Sequence, residues 1–490
     1  MSERTRLRLA LGLALAGFAT LVVLFARGHW GGVYDDALIY LRYVKNLRSG
    51  CGLRFNCAGP PVEGFTGPLY LALLYGGSFL TDQLIDLTQV VGTVSLVGAG
   101  TIAILLARRL GATTWLQLAL PIATALALGL DPFFELNTVT GMETALAALV
   151  VTLVAYAAIA DRPWLLVGAA CASVLLRPEG VLFVLALPVL PQLRRARYLA
   201  TAVGVIAAIA VARYAVFGEL VPTTYLAKSG GTTRHAELGL AYLRDALLDF
   251  PLAFLAPVAL VLAAPRRAVG YFLGVTAIWS LFFLRTGGDL FEYSRLVVPL
   301  VPALTALALA GLGGLGRHRG PAIVVAVGLV VGGRAAIQHA IPDQGTNPRV
   351  VAWAALGGYL RTHYPHQLVA TVPIGAIGYY SGLPILDLVG LTEPEIAHAG
   401  RSVPREQLTK LWIGHERHNT EYVLARQPRV IVTTMHRDHA WQSLGEARAG
   451  FFADWLLLQE IKAGRAPYHV VDVALAPRDH YLLFERDAGR

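Results

Sequence analysis

Two adjacent aspartates, Asp35 and Asp36, stand near the start of the segment YDDALIYLRYVKNLRSG at residues 34–50, directly after a run of apolar residues. A carboxylate here can take a proton from a hydroxyl group, act as a nucleophile or stabilise a developing positive charge. Aspartate also favours helix N-termini, where it caps free N–H groups and meets the positive end of the helix dipole. One aspartate satisfies that structural role. Because neighbouring helical residues point in different directions, one can cap while the other faces a cavity.

The residues that follow predict an amphipathic helix ending near Gly50, a plausible C-terminal cap. Apolar side chains recur every three residues along it, and basic side chains recur with the same spacing on another face. The apolar set is Leu38, Leu41, Val44 and Leu47, and the basic set is Arg42, Lys45 and Arg48. This pattern predicts a helix in the membrane interface, with its basic side toward headgroups or a lipid phosphate.

Other polar loops hold further charged and hydroxyl side chains. Arginine suits phosphate because its planar fork donates two parallel hydrogen bonds. Charges near hydrocarbon are costly unless they are paired or face water, so Arg177 can pair with Glu179 or bind an anion. Glu63 lies in a loop rich in Gly and Pro, which by itself favours a structural role over binding. The candidates in these loops are Glu63, Arg177, Glu179, Tyr225, Lys228, Asp289, Glu292 and Arg295.

The composition is that of a membrane protein. Of the 490 residues, 55% are hydrophobic and 15% are charged, whereas soluble domains contain about 25% charged residues. A membrane-spanning helix needs about 20 mostly apolar residues. We predict eleven transmembrane helices, in a multi-span domain at residues 1–339 followed by a soluble α/β domain at 340–490. The predicted helices lie at 9–27, 83–107, 115–131, 143–160, 164–176, 180–192, 198–217, 250–264, 270–285, 296–315 and 320–338.

The charge pattern predicts the orientation. With the N-terminus in the cytoplasm, every inner loop carries arginine, which agrees with the positive-inside rule. An odd number of helices then places the C-terminal domain outside, and the outer loops contain charges of both signs. The first apolar run has no small-residue cleavage site, so we expect an uncleaved helix rather than a signal peptide. The net charge of +9 comes from these short loops, which argues against nucleic acid as a partner.

The C-terminal region alternates β-rich and helical segments. Helices are predicted in EYVLARQ and FFADWLLLQEIKAG. Strands are predicted at 368–372, 384–390, 429–434, 468–475 and 480–486. Three cysteines are too few for a disulfide framework, although Cys51 and Cys57 lie close together in the first loop. The sequence contains no HExxH motif and no CxxC pair that would indicate a metal site.

An ordered set of motifs resembles the GT-C superfamily of membrane glycosyltransferases, in particular the bacterial terminal arabinofuranosyltransferases of cell-wall assembly. Three departures leave the sugar and the acceptor open. Gly67 stands where asparagine is expected, the pair Cys51 and Cys57 is not a family feature, and the tail is shorter than in the mycobacterial members. The motifs are DDALIYLRYVKNLRSGCGLRFN, VEGFTGPLY, TGMETAL, RPEG, PTTYLAKSG, GGDLFEYSRLVVPLVP, LDLVGLTEPEIAH and GHERHNTEYVLARQPRVIV.

The resemblance implies a polyprenyl-phosphate sugar as donor, most simply arabinofuranose, and a glycan or glycoconjugate acceptor on the outer face of the plasma membrane. It implies that Asp35 or Asp36 is catalytic. The departing lipid phosphate needs positive charge, for which the candidates are Arg295, Lys228 and Arg177, in that order. The expected substrate-binding residues are Glu63, Tyr225, Asp289, Glu292 and Glu179.

No cofactor is certain from the sequence. A divalent cation is an option, with first-loop acids and Asp289 as ligands. A GT-C transferase for mannose, glucose or aminoarabinose is the alternative among enzymes. A lipid or solute transporter is the alternative from another class, but transporters place charges near the midplane, often in two related halves, and neither pattern is found here. A non-catalytic envelope scaffold would not need two acids beside several basic loop residues.

Overall fold

The computed structural model describes residues 2–190, 193, 196–228, 232–256, 266–291, 293–314, 327, 348–440 and 450–487. The chain divides into two compact units. The first comprises Met1–Val33, Gly67–Ile209 and Gly239–Thr346, and the second comprises Tyr34–Thr66, Ala210–Leu238 and Asn347–Arg490. The predicted domain boundary at 339 and 340 falls outside the described residues and stays a prediction. The first-loop helix belongs to the same unit as the C-terminal region.

The first unit is helical. Its main helices are Glu3–Gly28, Pro68–Gly77, Leu84–Leu110, Thr114–Gly129, Pro132–Glu135, Thr144–Ile159, Pro163–Val174, Val181–Leu185, Arg266–Thr286 and Val301–Gly314. Two further helices, Ala196–Phe217 and Thr233–Asp249, each contribute residues to both units. Within the described residues, three helices are long and apolar enough to cross a membrane: Glu3–Gly28, Leu84–Leu110 and Ala196–Phe217. The other apolar helices are shorter. The chain is therefore a membrane protein, and the number of eleven crossings stays a prediction.

Small residues let the first unit's helices approach closely. A Cβ added to Gly100, on Leu84–Leu110, would lie 2.1 Å from the ring of Phe18, on Glu3–Gly28. Such contacts suit membrane helices, whose association depends on close packing because lipid is as apolar as leucine. The buried core of this unit consists mainly of Ala, Leu, Val and Phe.

Two breaks in predicted helices have local causes. Thr114–Gly129 bends by 68° into Pro132–Thr138, where Asp131 caps the new helix by accepting hydrogen bonds from the N–H groups of Phe133 and Phe134. The segment predicted as one helix at 180–192 instead forms Val181–Leu185 and the 3₁₀ turn Leu187–Val189. Proline at 188 cannot donate the helical hydrogen bond, which explains that break. The helix predicted at 320–338 lies outside the described residues, apart from residue 327.

The second unit contains a five-stranded mixed sheet with the order β2 (Ile385–Asp387), β1 (Val369–Thr371), β5 (Val430–Arg437), β7 (Asp479–Arg486) and β6 (Tyr468–Ala476). The strands β1, β2 and β5 are parallel, whereas β7 is antiparallel to both β5 and β6. All five predicted strands are confirmed, and β5 extends three residues further than predicted. In chain order the strands are Val369–Thr371 (β1), Ile385–Asp387 (β2), Arg401–Ser402 (β3), Arg417–His418 (β4), Val430–Arg437 (β5), Tyr468–Ala476 (β6) and Asp479–Arg486 (β7).

The unit also contains helices, and the predicted α/β character of the C-terminal region is confirmed. The two predicted helices correspond to Thr420–Ala425 and Phe452–Lys462. The remaining helices of the unit are Asp35–Arg48, Thr223–Ala227, Pro348–His363, Ile374–Ser381 and Pro394–Ala399. The helix predicted from the first-loop pattern is confirmed as Asp35–Arg48. It packs against Ile374–Ser381, which follows β1 and ends at Gly382 with φ of 67°. Glycine adopts this left-handed conformation without strain.

Candidate functional site

Asp35 caps a helix, but not its own. Its Oδ2 accepts a hydrogen bond from the N–H of Gly375 at 3.0 Å, and its Oδ1 accepts one from the N–H of Ala376 at 2.7 Å. These are the second and third residues of Ile374–Ser381, whose N-cap position is occupied by Pro373, which supplies no side-chain cap. The carboxylate also meets the positive end of that helix's dipole. Both oxygens of Asp35 therefore have structural partners.

The environment of Asp35 changes its protonation. Burial raises the pKa of Asp35 to about 7, and repulsion from Asp36 also raises it, while the two N–H donors act in the opposite direction. Desolvation disfavours the charged form of a carboxyl group, whereas hydrogen bonds to that form favour it. The bonds to Gly375 and Ala376 are therefore strongest above about pH 7.

Asp36 differs from its neighbour. It is partly buried, and among the described residues no hydrogen bond or ion pair involves its carboxylate. A carboxylate without a structural partner is available to accept a proton from a hydroxyl group. Of the two aspartates, Asp36 is thus the one whose oxygens are not occupied within the described structure.

Arg42 corrects one prediction. We expected it to point toward lipid headgroups, but it is only 6% exposed. Its guanidinium donates to the carbonyl oxygens of Phe55 at 2.8 Å, Gly378 at 2.6 Å and Leu383 at 2.7 Å, and to Oδ1 of Asn56 at 2.9 Å. Burial lowers the pKa of Arg42 to about 10, so it is charged at neutral pH. One residue of the basic face therefore binds other parts of the protein rather than lipid headgroups.

The other basic residues of that face, Lys45 and Arg48, are exposed. The Nζ atom of Lys45 lies 3.4 Å from the ring centroid of Tyr379. A cation at this distance is attracted by the negative face of an aromatic ring. Burial lowers the pKa of Lys45, and the charges of Arg361 and Arg42 lower it further.

A disulfide joins Cys51 to Cys57 in the loop after the helix, with an S–S distance of 1.99 Å. Sequence reasoning placed the two cysteines close together but did not pair them. The bridged loop presents Asn56, whose side chain receives a hydrogen bond from the N–H of Ile385 and donates one to its carbonyl oxygen. The loop thus binds to β2. Disulfides persist in oxidising compartments.

Glu63 is held by an arginine that the sequence analysis did not consider. Arg213 contacts it through two parallel interactions, Nε to Oε2 at 2.5 Å and Nη2 to Oε1 at 3.1 Å. Burial raises the pKa of Glu63, while the hydrogen bond and charge of Arg213 lower it. Arg213 lies within an apolar run, and nothing in its local sequence indicates a partner at residue 63. The contact favours a structural role for Glu63.

Tyr225 and Lys228 lie at the end of the short helix Thr223–Ala227, in the second unit. Both side chains are exposed, Tyr225 by 49%. The methylene chain of Lys228 covers Gly414: its Cε atom lies 3.4 Å from the position of a Cβ added to that glycine. Among the described residues, no acidic side chain pairs with the Lys228 ammonium group. Lys228 is therefore a cation available to an anionic ligand.

A second set of predicted residues lies in the first unit. Arg177 contacts two buried carboxylates: its Nη1 lies 2.7 Å from Oε1 of Glu143, and its Nε lies 2.5 Å from Oε1 of Glu179. The sequence analysis anticipated the pairing with Glu179 and missed that with Glu143. Two carboxylates facing one guanidinium leave no excess positive charge in this cluster.

Asp289 and Arg295 also form a buried ion pair, with Nε of Arg295 2.9 Å from Oδ2 of Asp289. The guanidinium carbon lies 4.1 Å from the ring centroid of Phe291. The turn between them is strained, because Tyr293 and Ser294 have φ values of 58° and 48°. Positive φ is unfavourable for residues other than glycine and is concentrated at functional sites. Glu292 lies outside the described residues.

No group of three or more His, Cys, Asp or Glu side chains in the described part of the chain is arranged to hold a metal ion. The predicted site residues fall into two sets. Asp35, Asp36, Glu63, Tyr225 and Lys228 lie in the second unit. Arg177, Glu179, Asp289 and Arg295 lie in the first.

Comparison with known proteins supplies the family context. Over 354 residues the chain is 27% identical to the terminal β-(1→2)-arabinofuranosyltransferase of Mycobacterium tuberculosis. The chain resembles a terminal arabinofuranosyltransferase. The resemblance inferred from the sequence motifs is thereby confirmed. The match covers 60% of this chain and 54% of that protein, so the chain spans about half the length of its curated relative. Residues 339–482 also match a domain of unknown function, DUF8728.

Two crystal structures of ArnT from Cupriavidus metallidurans share the fold. The structure bound to undecaprenyl phosphate has a TM-score of 0.51 at 15% identity and matches 97% of both chains. The apo structure has a TM-score of 0.53 at 13% identity, covering 96% of this chain and 98% of that one. ArnT belongs to the GT-C superfamily. This chain therefore shares the fold of ArnT, and it has a helical body and a C-terminal sheet domain.

Proposed function

We propose that this protein is an integral membrane glycosyltransferase. It transfers a sugar, arabinofuranose, from a polyprenyl-phosphate donor to a glycan or glycoconjugate acceptor of the cell envelope. The similarity to a terminal arabinofuranosyltransferase supports the reaction class and the sugar. The ArnT structure with undecaprenyl phosphate supports a polyprenyl-phosphate donor.

The observation that carries the catalytic assignment is the difference between the two first-loop aspartates. Asp35 uses both oxygens to bind backbone N–H groups, so Asp36 is the proposed general base. It takes the proton of the acceptor hydroxyl as that oxygen bonds to the anomeric carbon. The bond from the anomeric carbon to the phosphate oxygen breaks, and its electron pair stays with the lipid phosphate. A base within hydrogen-bond reach accelerates such a step by about 10²–10⁴-fold.

The departing phosphate requires positive charge. The ion pairs change the order of the candidates, because Arg177 faces two carboxylates and Arg295 faces Asp289. Lys228 has no acidic partner among the described residues, and it lies in the same unit as Asp36. We therefore propose Lys228 as the first phosphate-binding residue. The neighbouring exposed ring of Tyr225 is proposed to contact the sugar.

In this proposal Glu63 fixes the first loop through Arg213. Arg177 and Arg295, paired with Glu179 and Asp289, keep their place among the candidates for binding substrate. Glu292 keeps its proposed place among the substrate-binding residues. The reaction takes place on the outer face of the plasma membrane, with the N-terminus in the cytoplasm and the C-terminal domain outside. The disulfide supports this side, because its loop and the C-terminal domain belong to one unit.

The test uses the purified full chain in nanodiscs with a panel of radiolabelled polyprenyl-phosphate sugars and crude envelope as acceptor. Wild type is expected to release polyprenyl phosphate from the arabinofuranose donor, and Asp36→Asn to lower kcat by about 10²–10⁴-fold. Glu406→Gln, which neutralises an exposed acid of the same unit, is the control and keeps full activity. Release from a different donor would correct the sugar. Full activity of Asp36→Asn would refute the assignment, and no release from any donor would point to the transporter.

A further inference from the structure

The Asp35–Arg48 helix is attached at two points to one helix of the C-terminal region, Ile374–Ser381. At one point Asp35 accepts hydrogen bonds from N–H groups in the first turn of Ile374–Ser381. At the other, Arg42 donates to the carbonyl oxygens of Gly378 and Leu383, near its C-terminal end. Hydrogen bonds to charged groups are stronger than neutral ones. The Arg42 attachment is of this stronger kind, and the Asp35 attachment is of this kind when its carboxyl group is ionised.

The dimensions of the two helices match. Asp35 and Arg42 are seven residues apart, which is about two turns and about 10.5 Å along a helix, so they lie on one face. The eight residues of Ile374–Ser381 extend about 12 Å. A negative side chain thus meets the positive end of the helix dipole and a positive side chain meets the negative end, an arrangement that stabilises both contacts.

The backbones also touch. A Cβ added to Gly375 would lie 1.9 Å from the carbonyl oxygen of Asp35 and 2.9 Å from its Cγ. No side chain fits at that position while the helices keep this separation. The contact lies at the residue immediately before Asp36, and successive helical residues point in different directions. The attachment therefore fixes the backbone of Asp36 without using its carboxylate.

We propose that Ile374–Ser381 is a positioning element for the catalytic carboxylate, and that Asp35 and Arg42 are positioning residues rather than catalytic ones. The inference rests on the proposed role of Asp36 and assigns a function to the C-terminal domain. In this assignment that domain sets the place and direction of the general base. A displacement of about 1 Å in a reacting group can lower a rate by about 10²-fold, so the reaction depends on this attachment.

The first experiment compares substitutions that distinguish a base from a hydrogen-bond acceptor. Asn at position 35 keeps one oxygen that can accept from an N–H group, whereas Ala keeps none. A positioning role predicts that Asp35→Asn retains a substantial part of kcat and that Asp35→Ala loses much more. A general base predicts equal loss in both, since neither side chain can take a proton. For position 36, Asn and Ala are expected to be equally inactive.

The second experiment displaces the helices without changing a charge. Gly375→Ala is expected to lower kcat at least about tenfold, with little change in KM for the donor, because the base moves and the substrate contacts stay. Gly358→Ala is the matched control. It lies in the preceding helix, Pro348–His363, and an added Cβ meets nothing within 4 Å. Its kcat should equal that of wild type. Monodisperse elution in detergent selects folded protein for both.

The outcomes separate the two proposals. Failure of wild type to release lipid phosphate from any donor refutes the proposed function, whereas wild-type kcat in Asp36→Asn refutes only the assignment of Asp36 as the general base. An inactive Asp36→Asn together with wild-type kcat in Gly375→Ala and Asp35→Ala overturns the positioning role and leaves the proposed function intact. Equal loss in Asp35→Asn and Asp35→Ala, with Asp36→Asn active, would make Asp35 the base. If Gly375→Ala does not yield folded protein, the two position-35 variants decide the question.

Discussion

The Nη2 atom of Arg42 lies 2.7 Å from the carbonyl oxygen of Leu383, 341 residues further along the chain. Among the described residues, the buried guanidinium is bound by neutral oxygens only, three from backbone carbonyls and one from the side chain of Asn56. Buried charges usually have charged partners, because transfer from water is costly. Here four hydrogen bonds and a helix C-terminus offset that cost.

Arg42→Met is therefore expected to destabilise the protein by about 3 kcal/mol or more, since it leaves buried carbonyl oxygens without donors. Thermal unfolding of the full chain in detergent measures the effect. Lys45→Met, which removes an exposed cation from the same helix, is the control and should cost under about 1 kcal/mol. Equal shifts in Tm for the two variants would show that the Arg42 bonds do not stabilise the fold.

The buried ion pair of Glu63 and Arg213 should show a large coupling energy in the free energy of unfolding. Either single change, Glu63→Gln or Arg213→Met, leaves an uncompensated buried charge or a buried polar group, and we expect a cost of about 3–5 kcal/mol. The double variant should cost clearly less than the sum of the two, because each loss includes the same interaction. A double-mutant cycle of unfolding free energies measures this coupling.

The control cycle uses Glu460 and Arg465, which form a similar two-contact ion pair with the arginine side chain 61% exposed. Solvent screens exposed ion pairs, which therefore contribute little to stability. A coupling energy at Glu63 and Arg213 no larger than that of the control would contradict the structural role assigned to Glu63.

The stability of the second unit should depend on the protonation of Asp454. Burial raises its pKa to about 7 from an ordinary value of 3.8, so between these values the folded chain binds a proton that the unfolded chain has released. The stabilisation is fully present below about pH 4 and is lost as pH rises through about 7. Asp35 and Asp387, with pKa values raised to about 7 and about 6, act in the same direction.

Asp454→Asn isolates this contribution, because the amide does not titrate. We expect the Tm of Asp454→Asn minus the Tm of wild type to increase from pH 4 to pH 8. Thermal unfolding of both proteins across that pH range measures this difference. A difference in Tm that is constant with pH would mean that Asp454 titrates at its ordinary value in the folded protein.

The pairing of Cys51 with Cys57 makes a prediction about both location and stability. Protein denatured without reduction should take up one maleimide, on the buried free Cys171, and reduced protein should take up three. Mass spectrometry counts the labels. Loss of the bridge in Cys51→Ser should cost about 2 kcal/mol, the loop-closure entropy for so short a loop. Three labels without reduction would place the loop in a reducing compartment and contradict the proposed topology.

Local patterns in the sequence predicted much of the secondary structure. The Asp35–Arg48 helix and the five long-sheet strands were predictable because periodicity and turn residues are local signals. The partners of the site residues were not. Arg42 looks like any basic residue on an amphipathic helix, and only the fold shows that its acceptors come from the C-terminal region. The same is true of Arg213, because its position in an apolar run does not indicate that its partner is Glu63.

The two aspartates illustrate the same limit. The sequence predicted that one would cap a helix and that the other would be available, but the obvious helix to cap was their own. The helix that Asp35 caps begins at residue 374, and the N–H groups it binds are those of Gly375 and Ala376. Which aspartate caps is therefore decided by tertiary packing, which no local pattern encodes.

The attachment of Asp35 to Ala376, 341 residues apart in the chain, has a consequence for biosynthesis. A ribosome that adds about 5–20 residues per second needs about 17–70 s to make the intervening chain. During that interval the Asp35–Arg48 helix exists without the helix that binds it. Asp36, the proposed catalytic residue, therefore reaches its final position only after most of the protein has been synthesised. A chain that stops before residue 374 cannot form this contact and therefore cannot complete the proposed active site.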